Sequence, residues 1–186
     1  MEAFENTYCY AIRNLDEIHR HYHDTEYGFP AQDDNDLFKR LMLEVNQAGL
    51  SWTTILKKKP GILEAYDQFD IPTVAHYGEA DRERLLKDPR IIRNQLKVNA
   101  AIHNAQQILH LQEGYGSFKS WLDHHFPKSR DEWVKLFKKT FKFTGGEITN
   151  EFLMGCGYLE GAHHPDCPIY QKMLFFAPFW LLLKHL

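Results

Sequence analysis

The sequence predicts an all-α protein. Three observations carry this: apolar residues recur at helical spacing wherever a pattern is strong, helix-opening capping signals are present, and alternating strand patterns are hard to find. With 186 residues, 44% apolar and 14% aromatic, the chain is long and apolar enough to form a single domain over 1–186 with a substantial core. No internal repeat, low-complexity segment or Pro/Gly-rich linker divides it.

Taken in order, the first strong helix starts at Asp34, where Leu37, Phe38, Leu41, Met42, Val45 and Ala48 form one stripe. "DIPTVAHYGEADRERLLKD", residues 70–88, predicts two short helices, with Pro72 in a favourable first-turn position. "NQLKVNAAIHNAQQILHLQ", residues 94–112, predicts a longer helix with Ile102, Ala105, Ile108 and Leu109 on one side. Ser129 with Glu132 and Thr144 with Glu147 match capping boxes, each opening a further helix. The sum is roughly eight to ten short helices. The apolar "MLFFAPFWLLL" near the C-terminus is 11 residues long and contains Pro178. It is too short to span a bilayer and is expected to dock on the core or on a partner.

Formal charge is −3, which excludes a uniformly basic polyanion binder, but the cations are clumped. Arg84, Lys87, Arg90, Arg93 and Lys97 face only Asp88 between 84 and 97. Lys128, Arg130, Lys135, Lys138, Lys139 and Lys142 outnumber Asp131 and Glu132 between 128 and 142, and Lys57–Lys59 add a third cluster. These are either solvated helix faces or an anion-binding face on an acidic body. Cys9, Cys156 and Cys167, odd in number and far apart, fit a reducing compartment such as the cytoplasm. "MEAFENTYCYAIRN" has no apolar core and is not expected to be a signal peptide.

The most informative stretch is "LEVNQAGLSWTTILKKKPG", residues 43–61. On a helical wheel Glu44 falls about 20° outside the apolar stripe, a border position from which a glutamate ordinarily reaches solvent. Leu43 points to the opposite side, so the far face is expected to be covered and Glu44 partly desolvated. Leu50 follows a helix-ending Gly49 in what should be a turn, and is either a core plug or a wedge that fills the gap left by an extruded base. Trp52 is suited to stack on a flat ligand, and the three lysines to neutralise phosphates.

Four segments in matching order resemble the DNA-3-methyladenine glycosylase I family: "YHDTEYGFP" (22–30), "LFKRLMLEVNQAGLSWTTILKKK" (37–59), "IIRNQLKVNAAIHNAQ" (91–106) and "FKFTGGEITNEFLMGCG" (141–157). The resemblance implies a helix-hairpin-helix bundle with a base pocket between helical subdomains. It implies an enzyme that flips N3-methyladenine from alkylated double-stranded DNA and hydrolyses its glycosidic bond without cutting the strand. Free 3-methyladenine is the implied product; neither a catalytic cofactor nor a membrane is implied, and a monomer is expected. Carried across, the base-binding and catalytic carboxylate is Glu44, the aromatic partners are Tyr22 and Trp52, and the wedge is Gly49 and Leu50. His19 replaces a family tyrosine and is carried over as a third base-binding residue, Ala11 replaces a tryptophan, and Arg90 and Leu96 stand where hairpin glycines are usual. Phosphate anchoring is therefore expected from Arg90, Arg93 and Lys97. These departures keep open a lesion-binding protein of the same fold that has lost turnover.

The family also holds one structural zinc in a Cys2His2 site, which the resemblance carries onto Cys9, His23, His163 and Cys167. Read from the residues alone, "IHRHYHD" and "GAHHPDC" are a weak metal signal, and surface or core histidines account for them more readily. A metal-dependent hydrolase built on His19, His21, His23 and Asp24 is a third class, which would need the alternate histidines to converge.

Overall fold

The computed structural model describes residues 3–185; Met1 and Glu2 of the amino-terminal segment and Leu186 of the apolar tail lie outside the described residues. Eleven α-helices and four short 3-10 turns, with no strand, make up the regular structure among them. The all-α expectation holds, and the number of helices is slightly above that expected because two of them are only four and five residues long. The chain forms two compact units: a terminal unit of residues 1–30 and 150–186, and a central unit of residues 31–149.

The central unit contains α3 (Asp34–Gln47), α4 (Trp52–Ala65), α5 (Ile71–Ala75), α6 (Glu79–Lys87), α7 (Gln95–Tyr115), α8 (Phe118–His125) and α9 (Arg130–Thr140). Asp33 opens α3 by accepting from the Asp36 amide, and Leu37, Phe38, Leu41, Met42 and Val45 of the predicted stripe are buried, while Ala48, its last member, is the C-cap and only partly buried. Each such side chain contributes about 1.5–3 kcal/mol of transfer free energy. Asp34, at the first helical position of α3, accepts from the Phe118 and Lys119 amides and so ties α8 to α3. An aromatic cluster of Phe118, Trp121, Trp133, Phe137 and Phe141 fills the space between α8 and α9. Pro72 lies in the first turn of α5 as predicted.

Of the two expected capping boxes, the one at Ser129 forms: its side chain accepts from the Glu132 amide while Glu132 accepts from the Ser129 amide. The one at Thr144 does not. Its hydroxyl donates to the Phe137 and Phe141 carbonyls at the end of α9, and Glu147 pairs with Arg130. The following helix α10 (Gly146–Gly155) begins at the second glycine of the Gly145–Gly146 pair, which leaves Glu147 one position short of the reciprocal contact.

The terminal unit contains α1 (Tyr8–Ala11), α2 (Glu17–Thr25), the larger part of α10, and α11 (Pro168–Phe175). Gly28, at φ +80°, donates to the Gly155 carbonyl, and a Cβ there would meet Ala162 at 2.8 Å and the His163 ring at 3.0 Å. Only glycine satisfies both that backbone conformation and that proximity. The apolar tail docks within this unit: Met173 and Trp180 are buried with Phe29, and Phe179 stacks on Tyr158 with ring centroids 4.7 Å apart. No described helix is long and apolar enough to cross a membrane.

Candidate functional site

In the central unit, Glu44 lies on the last turns of α3 and is 8% exposed; Leu43 is 2% exposed, so both faces of the helix are covered as the sequence predicts. A carboxylate so far removed from water is costly unless it is matched by a partner or a ligand.

Directly after α3 the chain makes a tight turn over Gln47–Leu50. Ala48 at φ −49°, ψ 117° is followed by Gly49 at φ +80°, and the Leu50 amide donates to the Gln47 carbonyl across 2.7 Å. This is a type II turn, whose third position requires a left-handed residue, hence Gly49. The Gln47 side-chain amide also donates to the Leu50 carbonyl at 3.2 Å. Leu50 therefore projects from a braced turn and is 38% exposed, a wedge-like placement rather than a core plug. Ser51 then caps α4 by accepting from the Thr54 amide, which sets the half-buried Trp52 at the first helical position.

Lys97 completes the brace. Its ammonium donates to the carbonyls of Asn46 at 2.8 Å and Ala48 at 2.7 Å, and it is only 4% exposed. Burial lowers its pKa, and the carbonyl end of a helix is where a cation is favoured. This corrects the expectation that Lys97 meets phosphate: helical spacing from Ala101 and Ala105 puts it on the buried face of α7, under the wedge turn. Arg90 also departs from that expectation, because its guanidinium is already matched by Asp88 and Glu64, each at 2.8 Å. Arg93 is exposed in the segment between α6 and α7. Lys58, in the lysine cluster, donates to the Pro89 carbonyl at 2.8 Å.

In the terminal unit, Cys9, His23, His163 and Cys167 converge, all buried, with one donor atom from each lying within 4.8 Å of the other three. His23 Nε2 stands 3.3 Å from Cys9 Sγ and 3.6 Å from Cys167 Sγ; His163 Nδ1 stands 3.7 and 3.9 Å from the same sulfurs and 3.1 Å from His23 Nε2. The outer nitrogens are fixed: His163 Nε2 donates to the Tyr27 carbonyl at 2.7 Å and His23 Nδ1 to the Asp24 carboxylate at 2.6 Å. Both imidazoles thus present a lone pair to one centre, the arrangement that outer hydrogen bonds impose on metal-binding histidines. A tetrahedral zinc with bonds of about 2.3 Å to sulfur and about 2.0 Å to nitrogen spaces its donors by roughly 3.3–3.8 Å, and this set fits it. Hydrogen bonding with Cys9 pushes the Cys167 thiol down toward the thiolate, while that same bond and burial push Cys9 up.

The "IHRHYHD" histidines do not converge on a second centre. His19 and His23 share the buried face of α2, but His21 is exposed on the other side. His19 Nδ1 accepts from the Tyr8 hydroxyl at 2.8 Å, and burial, with Cys9 nearby, raises the Tyr8 pKa so that it keeps its proton. An open hydrolytic site on His19, His21, His23 and Asp24 is therefore excluded by helical geometry. Tyr22, half-buried on α2, lies with its ring 5.7 Å from that of Tyr27. Sequence reasoning missed Tyr8, Asp24 and the Tyr27 carbonyl as supporting groups, for which no spacing signal existed.

The methyladenine glycosylase family profile matches residues 12–135. The chain is 36% identical over 174 residues to the DNA-3-methyladenine glycosylase 1 of Escherichia coli (strain K12), covering 83% of this chain and 92% of that protein. It is similar to a crystal structure of a variant 3-methyladenine DNA glycosylase I in complex with 3-methyladenine, with a TM-score of 0.79, 32% identity, and coverage of 86% of this chain and 95% of that one. A structure addressing 3-methyladenine recognition by the Staphylococcus aureus enzyme gives a TM-score of 0.75 at 34% identity, over 83% of this chain and 92% of that one.

Proposed function

The chain belongs to the methyladenine glycosylase family, and from that premise we propose that it releases 3-methyladenine from alkylated double-stranded DNA by hydrolysing the N-glycosidic bond, leaving the strand intact. The observation that carries the proposal is a buried carboxylate, Glu44, one turn before a braced turn that presents Leu50 and then Trp52.

The chemistry suits such a sparse site. An N3-methylated adenine is cationic on the DNA and departs neutral, so the leaving group needs little protonation. Glu44 accepts hydrogen bonds from the base and opposes the positive charge that moves onto the sugar as the bond breaks. Trp52 offers its ring to the cationic base, and Tyr22 carries the second aromatic role that the family resemblance gives it. Leu50 fills the gap in the stack, offsetting part of the few kcal/mol that extrusion costs. Strand cleavage would need an amine nucleophile to form a Schiff base, and the lysine identified close to this turn, Lys97, is occupied by two carbonyls.

Zinc is assigned a structural role. Cys9, His23, His163 and Cys167 supply four ligands and leave no position for a reacting water, so the ion would staple the two chain ends of the terminal unit. Three buried cysteines with no disulfide among them suit a reducing compartment, consistent with the cytoplasm.

The test is chromatography of bases liberated from methylated DNA by the wild type and by Glu44→Gln. Release of 3-methyladenine by the wild type, with the variant slower by about a hundredfold or more, supports the proposal. Tight binding of alkylated DNA without release would replace it with a lesion-binding role, and a borohydride-trapped adduct would overturn the monofunctional mechanism.

A further inference from the structure

Phe143 is an aromatic residue in a backbone conformation that its side chain disfavours. Its φ is +63°, and it is 37% exposed although it follows a fully buried aromatic cluster. A bulky residue at positive φ is costly, and such strain persists only where the surroundings impose it.

The surroundings do so from both sides. Asn104, wholly buried on α7, accepts from the Lys142 amide at 2.8 Å and donates to the Lys142 carbonyl at 3.1 Å. Thr144, 4% exposed, ties its hydroxyl to the Phe137 and Phe141 carbonyls. Lys142 and Phe143 are thereby extruded as an exposed pair between buried Phe141 and Thr144. This is a held protrusion rather than a loose loop.

Its location is defined by Lys97. The ammonium that braces Ala48 in the wedge turn also lies 5.9 Å from the centre of the Phe143 ring. Two exposed apolar side chains are thereby tied to one buried cation: Phe143 through its ring, and Leu50 through the turn that Lys97 braces two residues before it. Exposed Lys138, Lys139 and Lys142 supply positive charge along the adjoining end of α9 and its loop, which suits a polyanionic occupant.

We propose that Phe143 is a second apolar contact to the damaged duplex, stacking on a nucleotide exposed when Leu50 enters the helix. The proposal rests on the glycosylase function. It explains why an aromatic residue occupies a position for which glycine is conformationally better: the ring has work outside the fold.

The experiment compares wild type, Phe143→Gly, Phe143→Ala and Phe143→Leu. The readouts are single-turnover release of 3-methyladenine from a methylated duplex, binding of an abasic-site duplex, binding of free 3-methyladenine by tryptophan fluorescence, and thermal midpoint. Phe143→Gly and Phe143→Ala are expected to bind and process the duplex about tenfold more weakly, with free-base binding unchanged. Phe143→Leu is expected to lie between these and the wild type. Phe143→Gly should melt at or above the wild-type temperature because it relieves the strain. If Phe143→Gly melts lower and loses duplex and free-base binding together, Phe143 merely covers Lys97 and the proposal falls. If it processes duplex at the wild-type rate, the proposal also falls while the glycosylase function stands. If the wild type releases no 3-methyladenine, both fall together.

Discussion

Lys97 Nζ lies 2.7 Å from the Ala48 carbonyl, so the first turn of α7 holds the turn that presents Leu50. A buried ammonium costs desolvation, and here the cost is offset by two carbonyls at a helix end that have no intrahelical donors. Lys97→Met is expected to leave those carbonyls unmatched and to destabilise the protein by about 1–3 kcal/mol. Denaturant midpoints measure the loss. Duplex processing should fall further than stability alone predicts, because Leu50 loses its brace. Equal rates at a temperature where both proteins are folded would contradict this.

Gly49→Ala isolates backbone strain from crowding. A Cβ at this position meets nothing within 4 Å, yet φ is +80°. The substitution should cost about 1 kcal/mol and re-aim Leu50. Thermal unfolding together with duplex binding checks both effects.

Metal analysis of purified protein should give one zinc per chain. Chelation, or Cys167→Ser, should lower the melting temperature by several degrees, because ligands from both chain ends are released. Protein that remains folded should still release base at close to the normal rate. Loss of turnover without loss of folding would contradict a purely structural ion.

Asp36 gives an acid-sensitive contribution. Burial by itself would raise its carboxyl, but Arg40 and Lys39 outweigh that, and its pKa lies below the usual carboxylate value. A depressed folded-state pKa means the stabilisation is fully present above the unfolded pKa of about 3.9 and is lost as pH falls through the folded value. Asp36→Asn should therefore lose about 1 kcal/mol near neutrality and flatten the stability profile below about pH 4. A pH series of urea melts measures it.

Much of the fold was legible because helical periodicity records which face is buried. The stripe from Leu37 to Val45 was readable, and Leu43 on the opposite side gave the burial of Glu44. The convergence of Cys9, His23, His163 and Cys167 was anticipated through residue types few enough to pair by resemblance. Lys97 was misplaced because clustered charge does not reveal direction, although its spacing from Ala101 and Ala105 marks it as inward-facing. Thr144 and Glu147 matched a capping pattern at the right spacing, but the helix begins two residues after Thr144, and spacing alone does not fix a helix start. Nothing in a phenylalanine signals positive φ, so the protrusion at Phe143 emerges only from the Asn104 and Thr144 contacts that impose it.

The thiol–imidazole cluster joins Cys9 and His23 to His163 and Cys167, with the whole of the central unit inserted between them. During synthesis, residues 31–149 emerge as one continuous run and have all their own partners before the last sulfur leaves the ribosome. The flanking unit must wait for nearly the full polypeptide. A nascent chain halted after residue 149 has left the ribosome but before residue 163 has done so would therefore have a complete middle while its beginning still lacks both later ligands.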